Sequence, residues 1–89
     1  MAYKARFAES ALKQLRGLDR QVQRRIIAFV ENRLEQLDDP RSIGEALRGG
    51  DLGEFWKYRV GNYRLVCDIQ DGALAIEVLK VGDRKEVYR

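Results

Sequence analysis

Residues 55–72 read FWKYRVGNYRLVCDIQDG, and this stretch decides the fold. Two alternating runs flank Gly61-Asn62, and a glycine at the first turn position accepts the positive φ that a two-residue hairpin loop needs. With that loop, Val60 faces Tyr63, Arg59 faces Arg64, Tyr58 faces Leu65 and Lys57 faces Val66. Opposed residues share a face of a sheet, as do residues two apart on one strand. Lys57, Arg59 and Arg64 therefore stand together. Like charges opposed across a ladder destabilise it, so folding does not account for this cluster. A negatively charged partner does.

Asp71-Gly72 is a second two-residue turn signal. It predicts a third strand from about Ala73 to Val81, with Ile69 opposite Leu74, Cys67 opposite Ile76 and Leu65 opposite Val78. Both turns then bury the same face, the one carrying Trp56, Tyr58 and Tyr63. The other face carries Lys57, Arg59, Arg64, Val66 and Glu77, with Glu77 beside Val66.

Upstream, residues 2–7 (AYKARF) alternate as a first strand. A short helix follows from Glu9 or Ser10, with Leu12, Leu15 and Leu18 on its apolar side and Gly17 weakening its end. Asp19 is placed to N-cap a longer helix. Its stripe is Val22, Ile26, Phe29, Val30, Leu34 and Leu37, and Pro40 ends it. Residues 40–53 (PRSIGEALRGGDLG) read as a Gly-rich connection, and Lys85 to Tyr88 as a short edge strand. The expected class is α+β: an N-terminal strand and a helical hairpin packed on one face of an antiparallel β-sheet whose other face is polar and cationic.

With 89 residues, the chain is read as one domain spanning 1–89. Its hydrophobic fraction of 45% and charged fraction of 35% suit a soluble globular protein. It shows no apolar run long enough to span a membrane and no secretory signal. The only cysteine, Cys67, lies in the apolar run LVCDI, which fits a cytoplasmic setting. A net charge of +3 and a pI near 9.2 lean basic. Histidine is absent, so metal motifs built on His or on several Cys are excluded. Acid–base chemistry would fall to Lys, Arg, Tyr, Asp, Glu or Cys.

A cluster of cations on a rigid sheet suits a nucleic-acid backbone. Arginine grips a phosphate with two parallel N–H bonds, and a lysine among cations gives up its proton more readily. That set can serve one reaction that needs no metal or other cofactor. RNA carries its own nucleophile, the 2′-hydroxyl, beside the phosphate to be cut. A protein need only remove that proton, stabilise the charge on phosphorus and protonate the leaving 5′-oxygen.

The segments AYKARFAESALKQLRGL, ALRGG at 46–50, WKYRVGNYRLVC at 56–67 and the terminal KVGDRKEVYR resemble RelE-type toxins of the RelE/ParE toxin–antitoxin superfamily. The resemblance spans essentially the whole chain. It implies a microbial-RNase-like fold and a ribosome-dependent endoribonuclease that cuts mRNA in the A site of the 70S ribosome. It also implies a cognate RelB-like antitoxin as partner, with operator DNA reached only through the antitoxin complex. Carried over by position, Lys57 matches a lysine that acts as general base or neutralises charge, and Arg59 falls at a second cationic position. Arg64 matches an arginine that grips the scissile phosphate. Arg84 matches one that stabilises charge or serves as acid, and Tyr88 a tyrosine that stacks on a substrate base. The Arg84–Tyr88 spacing is shorter than in the best-known member, and Asp83 adjoins Arg84. The alternative is a ParE-like inhibitor that binds DNA gyrase without chemistry; another is a toxin without activity that survives in a repressor complex.

Other features have plainer readings. Trp56, Tyr58 and Tyr63 fall on the helix side and read as core. Cys67 has no basic neighbour to activate it and reads as a packed core residue. Arg24-Arg25 reads as a solvated helix face. Gly49-Gly50 lacks the strand and lysine context of a phosphate loop.

Overall fold

The Gly61-Asn62 hairpin organises the sheet. In the computed structural model, which describes residues 3–47 and 55–83, β3 (Phe55–Val60) and β4 (Tyr63–Gln70) pair antiparallel. Arg59 faces Arg64, Tyr58 faces Leu65 and Lys57 faces Val66, the register of a two-residue loop. Gly61 has a φ of 60°, in the left-handed region that glycine enters without a Cβ penalty.

The other elements are β1 (Lys4–Phe7), α1 (Glu9–Arg16), α2 (Arg20–Asn32), β2 (Glu45–Ala46) and β5 (Ala75–Asp83). Among the described residues the strand order is β1-β5-β4-β3-β2. Both helices cover one face, giving the α+β architecture expected. Their stripes supply Ala11, Leu15, Ile26 and Val30, with Leu34 following α2, to a core shared with Tyr58, Leu65, Cys67, Ile76 and Val78. No described helix is long and apolar enough to cross a membrane.

The structure departs from the expected fold in five places, the last of them a β-bulge. First, β1 runs parallel to β5, so the sheet is mixed rather than wholly antiparallel. Turn chemistry sets direction only for strands joined by a turn, and these two lie at opposite ends of the chain. Second, α2 ends at Asn32, well before Pro40, and a separate 3₁₀ turn spans Leu34–Gln36. That turn carries Glu35, whose carboxylate accepts the Ala5 N–H at 2.6 Å on the outer edge of β1. Asp19 flanks α2 but makes no side-chain cap bond.

Third, the connection after Pro40 is structured. A 3₁₀ turn spans Pro40–Ile43, and β2 then pairs with β3, setting Glu45 opposite Lys57 and Ala46 opposite Trp56. Two contacts hold this segment. The buried Tyr58 hydroxyl donates to the Pro40 carbonyl at 2.6 Å. Gly44 lies against the Tyr58 ring so closely that a Cβ there would come within 2.9 Å of Cε1. Burial away from water is the main cause that raises the Tyr58 pKa.

Fourth, Asp71-Gly72 is not a two-residue loop. A 3₁₀ turn covers Asp71–Ala73, and Leu74 takes a left-handed φ of 50°. The Asp71 carboxylate is held from outside the turn. Arg41 donates to it at 2.9 and 3.0 Å and the Tyr3 hydroxyl at 2.7 Å. Those bonds, Arg41's first, lower the Asp71 pKa. The wider loop shifts the pairing by two residues, so Ile69 faces Ile76 and Cys67 faces Val78. A shift of two leaves the faces as expected.

A β-bulge then changes them. Between Cys67 and Val66 the partner on β5 jumps from Val78 to Lys80, leaving Leu79 as the extra residue. Beyond it Leu65 faces Val81, Arg64 faces Gly82 and Tyr63 faces Asp83. β1 has ended by this point, and α1 covers the freed edge of β5. The Ser10 hydroxyl donates to the Leu79 carbonyl at 3.2 Å, and the Val81 N–H donates to Gln14 Oε1 at 2.8 Å.

Candidate functional site

The sheet face turned away from the helices can be mapped rung by rung. Nearest the Gly61-Asn62 turn lie Arg59, Arg64 and Gly82. The next rung is Glu45, Lys57, Val66 and Lys80, and the one after holds Phe55, Asp68, Glu77 and Arg6. Lys57, Arg59 and Arg64 are thus brought together as their spacing predicts. With Glu45, Ile43 and Gly44 they line a cavity of about 340 Å³. Arg84 and Tyr88, the proposed edge strand at 85–88 and Gly49-Gly50 lie outside the described residues.

Arg64 is the anchor of this cavity. It is buried, with 5% of its surface exposed, on the central strand. Its partners across the ladder are Arg59 on β3 and Gly82 on β5. Among the described residues it donates one hydrogen bond, to the Tyr63 carbonyl at 3.2 Å. A guanidinium carries five N–H donors in a fixed fork, so most remain for an anion. Arg59 is exposed at the rim.

Lys57 is more confined, and it has a partner. Its Nζ lies 2.7 Å from Glu45 Oε1, with the lysine side chain 17% exposed and the glutamate 73%. The bond from Lys57 is the chief cause that lowers the Glu45 pKa, helped by its charge and by those of Arg59 and Arg64. Glu45 is therefore an ionised carboxylate at neutral pH, and Lys57 donates to it as an ammonium.

Sequence reasoning missed the two other charged members of the Lys57 rung, Glu45 and Lys80. Glu45 sits on a two-residue strand in a Gly-rich stretch, where no alternation could announce it. Lys80 reaches the face through the bulge. Continuing the register from Cys67–Val78 would set it opposite Leu65, among the core; the extra residue sets it opposite Val66 instead. Its trace in the sequence is the break in alternation between Ile76, Val78 and Val81. Glu77 shares this face but lies opposite Asp68, not beside Val66, and its carboxylate meets Arg6 at 3.5 Å.

The residues read as core are on the helix side. Tyr58 is buried and stacks at a tilt on Phe29, with centroids 6.1 Å apart. Tyr63 is half-buried, and Trp56 is half-buried beneath the Arg41 guanidinium at 5.9 Å. Cys67 is fully buried, and that burial pushes its thiol pKa up to about 12. Arg25 is exposed, with its guanidinium close to Gly61 at the hairpin turn.

The profile of the family described as "ParE toxin of type II toxin-antitoxin system, parDE" matches residues 5–88. The mRNA interferase toxin RelE of Escherichia coli K12 is 36% identical over 90 residues, covering 99% of this chain and 92% of that protein. Among solved structures, a chain of the RelBE2 toxin–antitoxin complex of Mycobacterium tuberculosis superposes with a TM-score of 0.85. It is 27% identical and covers 94% of this chain and all of that one. A chain of the intact E. coli RelBE toxin–antitoxin complex gives 0.68 at 30% identity, covering 92% and 96%. The chain belongs to the RelE/ParE family of type II toxins. In this toxin the cationic cavity lies on the open sheet face, and the helical hairpin lies behind it.

Proposed function

We propose that this toxin is a ribosome-dependent endoribonuclease that cuts mRNA in the A site by 2′-hydroxyl attack, without a metal ion. The observation that carries the reading is the placement of Lys57, Arg59 and Arg64 around one cavity, with Arg64 buried among them. A structural role for that arrangement is hard to find, because opposed arginines weaken a ladder. The family resemblance to proteins named mRNA interferases supports it.

In the reaction the 2′-oxygen bonds to phosphorus and the bond from phosphorus to the 5′-oxygen breaks. The products are a 2′,3′-cyclic phosphate and a 5′-hydroxyl end. Arg64 holds the phosphate with two N–H bonds, and Arg59 and Lys57 offset the charge that gathers on its oxygens. Two groups in the cavity can take the 2′-hydroxyl proton. Glu45 is ready as it stands; Lys57 must first surrender the proton with which it binds Glu45. The bond from Lys57 that lowers its pKa makes Glu45 a weak base, so the pH dependence of cleavage decides whether Glu45 or Lys57 takes the proton. Arg84, by resemblance, supplies the proton to the leaving 5′-oxygen, and Tyr88 stacks on a base.

The partner that holds the toxin in check is a RelB-like antitoxin, as in the RelBE complexes of its relatives. Operator DNA is reached only through that complex. A second reading, inhibition of DNA gyrase by binding, is favoured by the ParE description of the family profile. One experiment separates the two. The purified toxin is added to ribosomes paused on a defined mRNA with an empty A site, and the RNA ends are mapped. A cut within the A-site codon that leaves a cyclic phosphate supports the nuclease; intact mRNA with inhibited supercoiling supports the second reading.

A further inference from the structure

We infer that Lys80 binds the phosphate next to the scissile one, so that the RNA strand crosses the sheet from β3 to β5 rather than running along the strands. The inference rests on the nuclease reading and extends it to a residue outside the Lys57, Arg59 and Arg64 set. Three features of the outer face support it.

The first is the bulge. It turns Lys80 from the core side to the outer face and sets it level with Lys57, with Val66 between them. Two strand spacings separate their backbones, about 10 Å, which is within the combined reach of two lysine side chains toward a common strand of RNA. Among the described residues no acid stands in that interval: Val66 is a buried apolar floor, and Gly82, which has no side chain, pairs with Arg64. A trough results, with Lys57 on one wall and Lys80 on the other.

The second feature is what bounds the trough. On the next rung Asp68 and Glu77 face each other. Two opposed carboxylates repel a phosphate and close the route down the length of the strands. The third is how these acids are satisfied. Glu77 pairs with Arg6, and Asp68 accepts a hydrogen bond from Gln70 at 3.1 Å. Among the described residues Lys80 forms no ion pair with either, so it is not there to neutralise them. Lys80 is exposed, and past it, where α1 meets the edge of β5, lies a second cavity of about 450 Å³ lined by Lys80 and by Lys13 of α1. A strand leaving Lys80 therefore has a way off the sheet.

The test uses a fluorescein-labelled 2′-O-methyl oligoribonucleotide, which can be bound but not cut, with anisotropy read across a salt series. Lys80→Ala is compared with Lys4→Ala, a lysine on the same face beyond the acid pair. Lys80→Ala should weaken binding several-fold and flatten the salt dependence by one phosphate contact, a slope change of about 0.7 for a single strand. Lys4→Ala should change neither. In the ribosome assay Lys80→Ala should raise KM and leave kcat unchanged, because a neighbouring phosphate is held equally in the ground and transition states. Wild-type affinity and salt slope in Lys80→Ala, alongside weakened binding in Arg64→Ala, would overturn the Lys80 assignment and leave the nuclease reading intact. A wild-type chain that neither binds the oligomer at low salt nor cuts mRNA would overturn both.

Discussion

Arg64 and Leu65 are adjacent on β4 and point to opposite faces of the sheet, so replacing each by alanine separates function from folding. Leu65 is fully buried in the core. Truncating it removes three methyl or methylene carbons' worth of packing and leaves a cavity, a cost of about 3 kcal/mol within the usual range for such sites. In a chain of this size that corresponds to a fall in Tm of roughly 12–24 °C. Arg64→Ala loses the packing of the arginine stem, about 1 kcal/mol, but relieves the repulsion from Arg59 by several tenths of that. The net loss is about 0.5 kcal/mol, and the Tm should fall by only about 2–4 °C. Catalysis should respond in the opposite order. Removing a donor aimed at transition-state charge costs on the order of 10²- to 10³-fold in rate. Thermal melts by circular dichroism and A-site cleavage under single-turnover conditions read the two effects separately. Wild-type cleavage by a folded Arg64→Ala would refute the phosphate-grip role. A Tm loss in Arg64→Ala as large as that of Leu65→Ala would refute the claim that this arginine is not there for the fold.

Gly44→Ala should destabilise the protein by about 1–3 kcal/mol, measured by urea denaturation, because its Cβ meets the Tyr58 ring at 2.9 Å and that ring is locked by its bond to Pro40; Gly44→Ala combined with Tyr58→Ala should show strong non-additivity. If Glu45 is the base, single-turnover cleavage should be flat between pH 6 and 9, since a carboxylate whose pKa is lowered is fully ionised there; a tenfold rise per pH unit across that window would assign the role to Lys57. Asp71 is also held below its ordinary pKa, so the stability it contributes is present at neutral pH and lost as pH falls below the usual carboxylate range through its lowered value. Asp71→Asn should flatten that acid limb in melts taken between pH 7 and 2. Cys67 should resist thiol reagents in the native protein and become labelled at the rate of global unfolding, because burial pushes its thiol pKa to about 12; fast labelling without unfolding would contradict its place in the core.

Much of the fold was legible because the decisive signals are local. Gly61-Asn62 needs only two residues to specify a loop, and the loop specifies the register of both strands it joins. The helical stripes are legible for the same reason, since Ile26, Val30 and Leu34 repeat at helical spacing. What escaped depends on partners far away in the chain. Asp71-Gly72 has the composition of a tight turn, yet Arg41 and Tyr3 draw the Asp71 carboxylate outward and the loop widens. β1 takes its direction from β5, some seventy residues on, and β2 exists only because β3 offers it an edge.

These errors differ in what they do to the site, and the reason lies in the period of a strand. Widening the Asp71 loop moved the pairing by two residues, an even number, so every side chain kept its face and the cationic cluster stood unchanged. The bulge at Leu79 moved it by one more, and an odd shift exchanges faces. Before the bulge Ile76 and Val78 point to the core; after it Val81 does, and Lys80 turns outward beside the cations. A chain without the bulge would bury a lysine opposite Leu65, at a cost no partner there could offset. Leaving Leu79 out of the ladder thus spares the core a charge and adds a cation beside Lys57, Arg59 and Arg64. Deleting Leu79 should therefore make the ladder regular while keeping Lys80 opposite Val66 and Val81 opposite Leu65, so RNA binding should survive the deletion, whereas Lys80→Ala should weaken it.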